Sequence, residues 1–147
     1  MSNKPTNKDT NENHISLFFV NFDYLPEIIT TQIGLTPTMT ALKGETYYLG
    51  LNQEISNQRK CSFWQYEVKR ITNDFIGDSV NEFVNDIIYP RAASIRSVAE
   101  TCNAELAIVQ YYYNGCNPGY HFSARIIEML TGTGLEIDID AYYLSSQ

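Results

Sequence analysis

A thiol and an imidazole lie close together in the sequence, at Cys116 and His121. A cysteine and a histidine can act as nucleophile and base when their side chains meet in a cleft. No third residue that would orient the histidine can be identified, so we assign no catalytic residue. The same pair joined by Asp138 or Asp140 lacks the paired spacing of zinc ligands, and we assign neither a metal nor a cofactor.

Carboxylates recur in two regular rows. Glu136, Asp138 and Asp140 alternate along a predicted strand and therefore share one of its faces. The second row is spaced every fourth residue, so that its members share one side wherever they are helical: Asp74, Asp78, Glu82 and Asp86. Each row has two interpretations. It is either a solvated surface, which on a strand also discourages aggregation, or an acidic docking surface for a basic protein. The strand row could also attract a cation, but the loop carbonyls and the glycine bend that usually complete such a site are missing.

Tyrosines are the third notable group, with 11 in the chain. Many fall in predicted strands, at 47–48, 111–113 and 142–143, where aromatic rings pack well. Tyrosine is also common at interfaces because a large apolar ring carries a polar tip. The sequence leaves both interpretations open, core packing and a Tyr-lined recognition surface.

The charge balance excludes some partners. Lys and Arg number 10 against 17 Asp and Glu, and the basic clusters are only the pairs 59–60 and 69–70. Nucleic-acid affinity depends on phosphate neutralisation, so we expect no nucleic-acid partner. No apolar run approaches the ~20 residues that cross a bilayer, and residues 1–13 lack the apolar core of a signal peptide. With three scattered cysteines, these features predict a cytoplasmic protein without a membrane partner.

Apolar periodicity predicts the strands. Segments 15–22 and 105–113 are apolar on both faces, as central strands are. Segment 61–68 alternates, and a short strand is expected at 46–51. The last strand, 135–143, also alternates, and we expect one set of its side chains to face the core: Leu135, Ile137, Ile139, Ala141 and Tyr143.

Three helices are predicted between these strands. The first spans 25–33, with Pro26 in its first turn and Gly34 as a left-handed cap. The longest begins at a capping box, 79–82, and runs to 102 with a kink at Pro90. The third follows a type II turn at 117–120 and is capped by Ser123.

The resulting element order is βαββαβ followed by αβ. We therefore predict an α+β fold, with a mixed or antiparallel sheet of about five strands packed by three helices in ferredoxin-like order. A single domain is expected at 14–147 behind a disordered polar tail at 1–13.

Several segments together resemble a known family, domain of unknown function 4279. They are the turn at 34–38, Lys43-Gly44-Glu45, the strand that bears Trp64, Pro90-Arg91, and the segment 117–123. The resemblance spans roughly 15–143, apart from an Asn/Gln-rich insertion near 51–59. It implies a compact α+β domain of bacterial origin, and it implies no activity and no catalytic residues.

Three hypotheses for the function follow. The first is a non-enzymatic module that docks a basic protein through an acidic, Tyr-rich surface, for example an immunity protein that blocks a basic toxin. The second is a small-molecule site or hydrolytic enzyme in a pocket where family-like residues converge: Trp64, Arg91, Asn117, Tyr120 and His121. The third is a structural homo-oligomer. Nothing in the sequence defines the oligomeric state.

Overall fold

A five-stranded sheet is the framework of the computed structural model, which describes residues 10–113 and 119–144. Its strands are β1 (Glu12–Val20), β2 (Met39–Ala41), β5 (Phe63–Ile71), β6 (Asn103–Tyr113) and β7 (Glu136–Leu144), in the spatial order β2-β5-β1-β6-β7. A separate hairpin pairs β3 (Thr46–Leu49) with β4 (Ile55–Gln58). The predicted α+β class is confirmed.

The strand directions define two interleaved halves. β1 is antiparallel to both β5 and β6, and β2 is antiparallel to β5. Consequently β1 runs parallel to β2 with β5 between them, and β5 runs parallel to β6 with β1 between them. This is the split βαβ arrangement of ferredoxin-like folds. β7 then extends the sheet by pairing in parallel with β6.

The core lies on one face of the sheet. Along β1 the side chains of Ile15, Leu17 and Phe19 are buried, and their partners on β6 are Ile108, Leu106 and Ala104. Trp64 on β5 faces the same side, where its indole N–H donates to Thr30 Oγ1 at 3.0 Å. The helices cover this face, so we call the opposite face the open face.

Four α-helical segments pack on the core face: α1 (Pro26–Ile33), α2 (Ile76–Phe83), α3 (Ala92–Ala99) and α4 (Ala124–Leu130). Gly34 ends α1 with a φ of 72°, and its N–H donates to Thr30 O, as predicted. Ser123 caps α4 by accepting a hydrogen bond from the Ile126 N–H at 3.3 Å. The predicted turn at 117–120 lies partly outside the described residues.

The predicted capping box at 79–82 is wrong. α2 begins three residues earlier, at Ile76, and Phe75 in the cap position makes no side-chain hydrogen bond. The Phe75 ring lies against Gly77, where an added Cβ would come within 2.2 Å of a ring carbon. A side chain at this position would displace the ring, so glycine permits this start. Ser79 is already inside the helix, and its hydroxyl caps nothing.

Proline interrupts the long helix at the predicted place. Pro90 has no N–H to donate to Asp86 O, and the chain passes through a π-helical turn (Val84–Ile88) and a 3-10 turn (Tyr89–Arg91) before α3. The Arg91 guanidinium supplies donors instead. Its Nη1 lies 3.3 Å from Asp86 O and 3.1 Å from Ile87 O, and its Nε donates to Ile33 O at 3.2 Å. Arg91 therefore joins the interrupted helix to the end of α1.

Two boundaries differ from the sequence prediction. β1 begins at Glu12 rather than after residue 13, and Asn13 is buried in it. The expected strand at 46–51 is found as β3, but it pairs with β4 instead of joining the main sheet. The Asn/Gln-rich insertion supplies that partner strand. The place of the second strand in the main sheet is taken by β2, which has only three residues.

We expect Arg91→Ala to lower the free energy of unfolding by about 2 kcal/mol, because it removes three hydrogen bonds from a charged donor. Arg91→Lys should recover only part of the loss, since an ammonium group cannot reproduce the planar fork. Urea denaturation measures both effects. Arg125→Ala, at an exposed arginine on α4, is the matched control and should change stability by less than about 0.5 kcal/mol. Equal effects of the two alanine variants would contradict the role given to Arg91.

Candidate functional site

Unbalanced negative charge marks one side of the open face. Glu136 on β7 is in register with Glu105 on β6, while Asp138 and Asp140 follow on the same face opposite Ala107 and Val109. The three β7 carboxylates are exposed. Among the described residues, no lysine or arginine forms an ion pair with any of these four acids.

The most enclosed of these four carboxyl groups is Glu105. Partial burial raises its pKa, and the nearby charges of Asp138 and Glu136 raise it further. Both effects disfavour the ionised form. The β6–β7 part of the open face is thus a place where added positive charge would be stabilised.

On the other half of the open face the carboxylates have side-chain partners. His14 on β1 places Nδ1 3.0 Å from Glu67 Oε1 and Nε2 2.7 Å from Glu12 Oε1. Lys69 Nζ lies 2.9 Å from Glu12 Oε1, and this contact lowers the pKa of Glu12 and raises that of Lys69. The four carboxylates of β6 and β7, in contrast, form no ion pair with any described residue.

Tyrosine pairs lie at the end of β6 and β7 that follows the acidic row, one pair on each face of the sheet. Tyr111 and Tyr142 stack on the open face with ring centroids 5.3 Å apart, and His14 meets Tyr111 edge-on at 5.7 Å. Tyr112 and Tyr143 form a tilted pair at 5.4 Å on the other face. Tyr142 and Tyr143 are both about half exposed, at 48% and 53%. The two β7 tyrosines are therefore accessible rather than part of the core, while Tyr111 and Tyr112 are partly buried.

β7 is exposed on both faces, which overturns the prediction that alternate residues of the last strand face the core. Every residue from Glu136 to Leu144 is exposed, including Ile137 at 44% and Ile139 at 36%. The reason is that no described helix covers the core-side face of β7. α4 has seven residues and packs against the π-helical turn, so it leaves the core-side face of β7 uncovered. Of the predicted inward set, Leu135 alone is partly buried against the core, and it precedes the strand.

The four acids spaced every fourth residue surround a cleft between β5 and α2. Glu82 and Asp86 line an inner cavity of about 110 Å³, and Asp74, Asp78 and Glu82 line an outer one of about 320 Å³. Arg70 borders both cavities and pairs with Glu82. The spacing in the sequence therefore indicated a real grouping, although Asp74 precedes the helix.

Two of the residues expected to line one pocket, Trp64 and Tyr120, lie far apart. Trp64 lies in the core at the Phe19 end of β1. Tyr120 donates to Gln110 Oε1 at 2.9 Å, at the opposite end of the sheet, where Gln110 is in register with Asn13. Six residues of β1 separate these ends, which is roughly 20 Å. His121 is exposed, and Cys116 and Asn117 lie outside the described residues.

No group of three or more histidine, cysteine or carboxylate side chains within residues 10–113 and 119–144 could hold a metal ion. None of the helices described is both long and apolar enough to cross a membrane.

The family model described as "Domain of unknown function (DUF4279)" matches residues 11–144. The chain belongs to the DUF4279 family. The match covers nearly all of the chain, including every strand of the main sheet and both regions described above. No curated protein and no solved structure matches the chain.

Several of the residues that suggested the DUF4279 family maintain the fold. Gly34 ends α1, Trp64 fills the core, Arg91 joins the broken helix to α1, and Ser123 caps α4. Their contacts are internal, so they account for the architecture of this DUF4279 member rather than for an activity.

Sequence reasoning missed two polar residues of this DUF4279 chain. Asn13 is 1% exposed, and neither its amide nitrogen nor its amide oxygen finds a hydrogen-bond partner. Its polarity placed it in the predicted tail, and no pattern marks a buried amide. His14, next to it at the edge of the predicted tail, was given no role, yet it connects Glu12 to Glu67. The alternation of His14 with Ser16 and Phe18 was the available signal.

We expect Glu105→Gln to raise the free energy of unfolding at neutral pH by roughly 0.2–1 kcal/mol, because it removes like charges across paired strands. The sign follows from the raised pKa of Glu105: the proton binds the folded state more tightly, so ionisation is destabilising. The gain should appear as pH rises above the ordinary carboxyl pKa and vanish below it. Urea denaturation from pH 3 to pH 8 measures the difference, with Glu128→Gln as the exposed control. A wild-type chain more stable than Glu105→Gln at neutral pH would contradict this.

Proposed function

We propose that this protein is a non-enzymatic module that binds a basic protein by adding an extended segment of that partner to the β7 edge. The observation that carries the proposal is the exposure of β7. Nine consecutive residues form an edge strand that is exposed on both faces. Such an edge presents unpaired N–H and C=O groups along its length, and strand addition is a common way for proteins to recognise extended peptides.

The two faces of β7 define the partner's chemistry. On the open face, Glu136, Asp138 and Asp140 stand two residues apart, the period at which a paired strand presents side chains. Lysine or arginine at alternate positions would meet them. On the opposite face, Ile137 and Ile139 favour apolar side chains at the intervening positions. The preferred segment therefore alternates basic and apolar residues.

The charge imbalance supports a basic partner over a neutral one. Glu105 adds a fourth carboxylate beneath the row. Its pKa is raised first by partial burial and then by the charges of Asp138 and Glu136, and a basic side chain would relieve that repulsion. Complementary charge also speeds encounter. A basic toxin is one partner of this class, which would make the protein an immunity protein.

Pairing of β7 with a second copy of itself is less favourable. Antiparallel pairing about the centre of the strand would place Asp140 opposite its own copy, and like charges directly opposite each other are destabilising. The same carboxylates that attract a basic segment thus act against a homo-oligomer through this edge.

The proposal is tested with a nine-residue peptide in which lysine alternates with valine, titrated into the full chain. Binding is expected at low ionic strength and should weaken as salt is added. A peptide with glutamate in place of lysine should not bind. A lysine peptide carrying two prolines should also fail, because proline cannot donate to the ladder. Equal binding of the proline peptide would exclude strand addition.

Two double variants that each remove two negative charges distinguish an effect of the β7 carboxylates from an effect of the overall negative charge. Asp138→Asn/Asp140→Asn should weaken peptide binding at least fivefold, roughly 1 kcal/mol. The control Asp23→Asn/Glu27→Gln removes two exposed acids near α1 and should leave binding within about twofold. Equal weakening by both pairs would contradict a site on β7. Sedimentation of the first pair also tests whether losing the carboxylates permits self-association.

A further inference from the structure

The cleft between β5 and α2 combines an apolar floor with an acidic rim. The side chains that line its inner cavity include four apolar ones: Ile15, Val68, Phe83 and Ile87. Arg70, Ser79 and Glu82 belong to both the inner cavity of about 110 Å³ and the outer one of about 320 Å³. The two cavities therefore share a boundary, with the outer one on the side of Asp74 and Asp78.

The charges around this cleft favour a cation. Four carboxylates face a single base, and that base, Arg70, pairs with Glu82. Asp86 forms no ion pair with any described residue, and its backbone carbonyl, not its carboxylate, accepts from Arg91. A carboxylate at the edge of an apolar cavity thus lacks a positive partner.

A second observation, independent of the acids, comes from Ser79. Its side chain borders both cavities and is 7% exposed. In the described part of the chain its hydroxyl makes no hydrogen bond. Ser79 Oγ keeps some solvent-accessible surface although the residue as a whole is nearly buried, so this hydroxyl is open to water or to a bound molecule in the cleft. α2 begins upstream of Ser79, which leaves this hydroxyl free to accept a hydrogen bond from a ligand in the cleft.

We propose that this cleft is a binding site for a primary alkylammonium group. The alkyl chain lies against the floor formed by Val68, Phe83 and Ile87, the ammonium group faces the Asp86 carboxylate, and it donates a hydrogen bond to the Ser79 hydroxyl. The cavity suits a chain of about four carbons, which is the length of a lysine side chain and of many free amines. The site lies three strands from β7, so it stands independently of the proposed strand addition.

Butylammonium is the probe, titrated into the isotopically labelled full chain and followed by the amide resonances of α2 and β5. It is expected to bind with a millimolar dissociation constant, since a ligand this small buries little surface. Ammonium, 1-butanol and butyrate should each bind at least tenfold more weakly. Equal binding of 1-butanol would show that charge is irrelevant, and equal binding of ammonium would show that the floor is irrelevant. Either result overturns the proposal.

Ser79→Ala tests the hydroxyl and should weaken butylammonium binding about tenfold, while alanine preserves the helix. Asp86→Asn should weaken it at least fivefold. Ser97→Ala and Asp23→Asn are the matched controls and should leave it unchanged. Unchanged affinity in both cleft variants, with their folding verified by the same spectra, overturns the proposal.

The source of the alkylammonium group is resolved by a second probe, Nα-acetyl-lysine-N-methylamide. Binding as tight as that of butylammonium indicates that a lysine side chain of a protein can enter. Much weaker binding indicates a free amine, because the peptide groups are then excluded at the rim.

Discussion

One-sided coverage of the sheet is the constraint on which the rest of this structure depends. Helices bury only one face, and they bury it over β5, β1 and β6. The apolar side chains of these three strands, with Trp64 and Phe19 among the largest, provide the hydrophobic stabilisation of the fold. α4 is too short to extend the cover to β7. The outermost strand is therefore held by its ladder with β6 and remains exposed on both faces.

The distribution of charge follows the same division. On β1 and β5, Glu12 lies against Lys69 and His14, and Glu67 lies against His14. On β6 and β7, four carboxylates form no ion pair with any described residue. An exposed edge with apolar side chains on one face invites unwanted pairing, and charged residues on the other face are a common protection. In this protein the charges all have one sign, and the proposed preference for a basic partner rests on that.

Much of the architecture could be predicted from the sequence, because buried strands and capped helices leave local signals. Gly34 and Ser123 act as expected, and Pro90 breaks the helix where proline must. β7 could not be placed, because an alternating strand has the same pattern whether its apolar face meets a helix or solvent. Whether the apolar face of β7 meets a helix or solvent depends on the length and position of α4, which is a tertiary property.

Polar residues were harder to interpret than apolar ones. The role of Arg91 depends on carbonyl groups freed by Pro90 and on the end of α1, which is distant in sequence. Ser79 suggested a helix cap because the true start, set by Phe75 against Gly77, has no polar signature. The acids from Asp74 to Asp86 were correctly grouped by their spacing, but the cavity they surround requires β5 and β1 to be in place. Periodicity identifies which residues share a face, and only the fold shows what that face meets.

Amide hydrogen exchange along β7 tests the central claim most directly. In the free chain we expect every second amide from Glu136 to Leu144, those not bonded to β6, to exchange rapidly, while amides of β1 and β6 are protected. Addition of the lysine–valine peptide should protect those same β7 amides. Uniform protection of β7 in the free chain, or peptide-induced protection elsewhere with β7 unchanged, would contradict an open edge that recruits a basic strand.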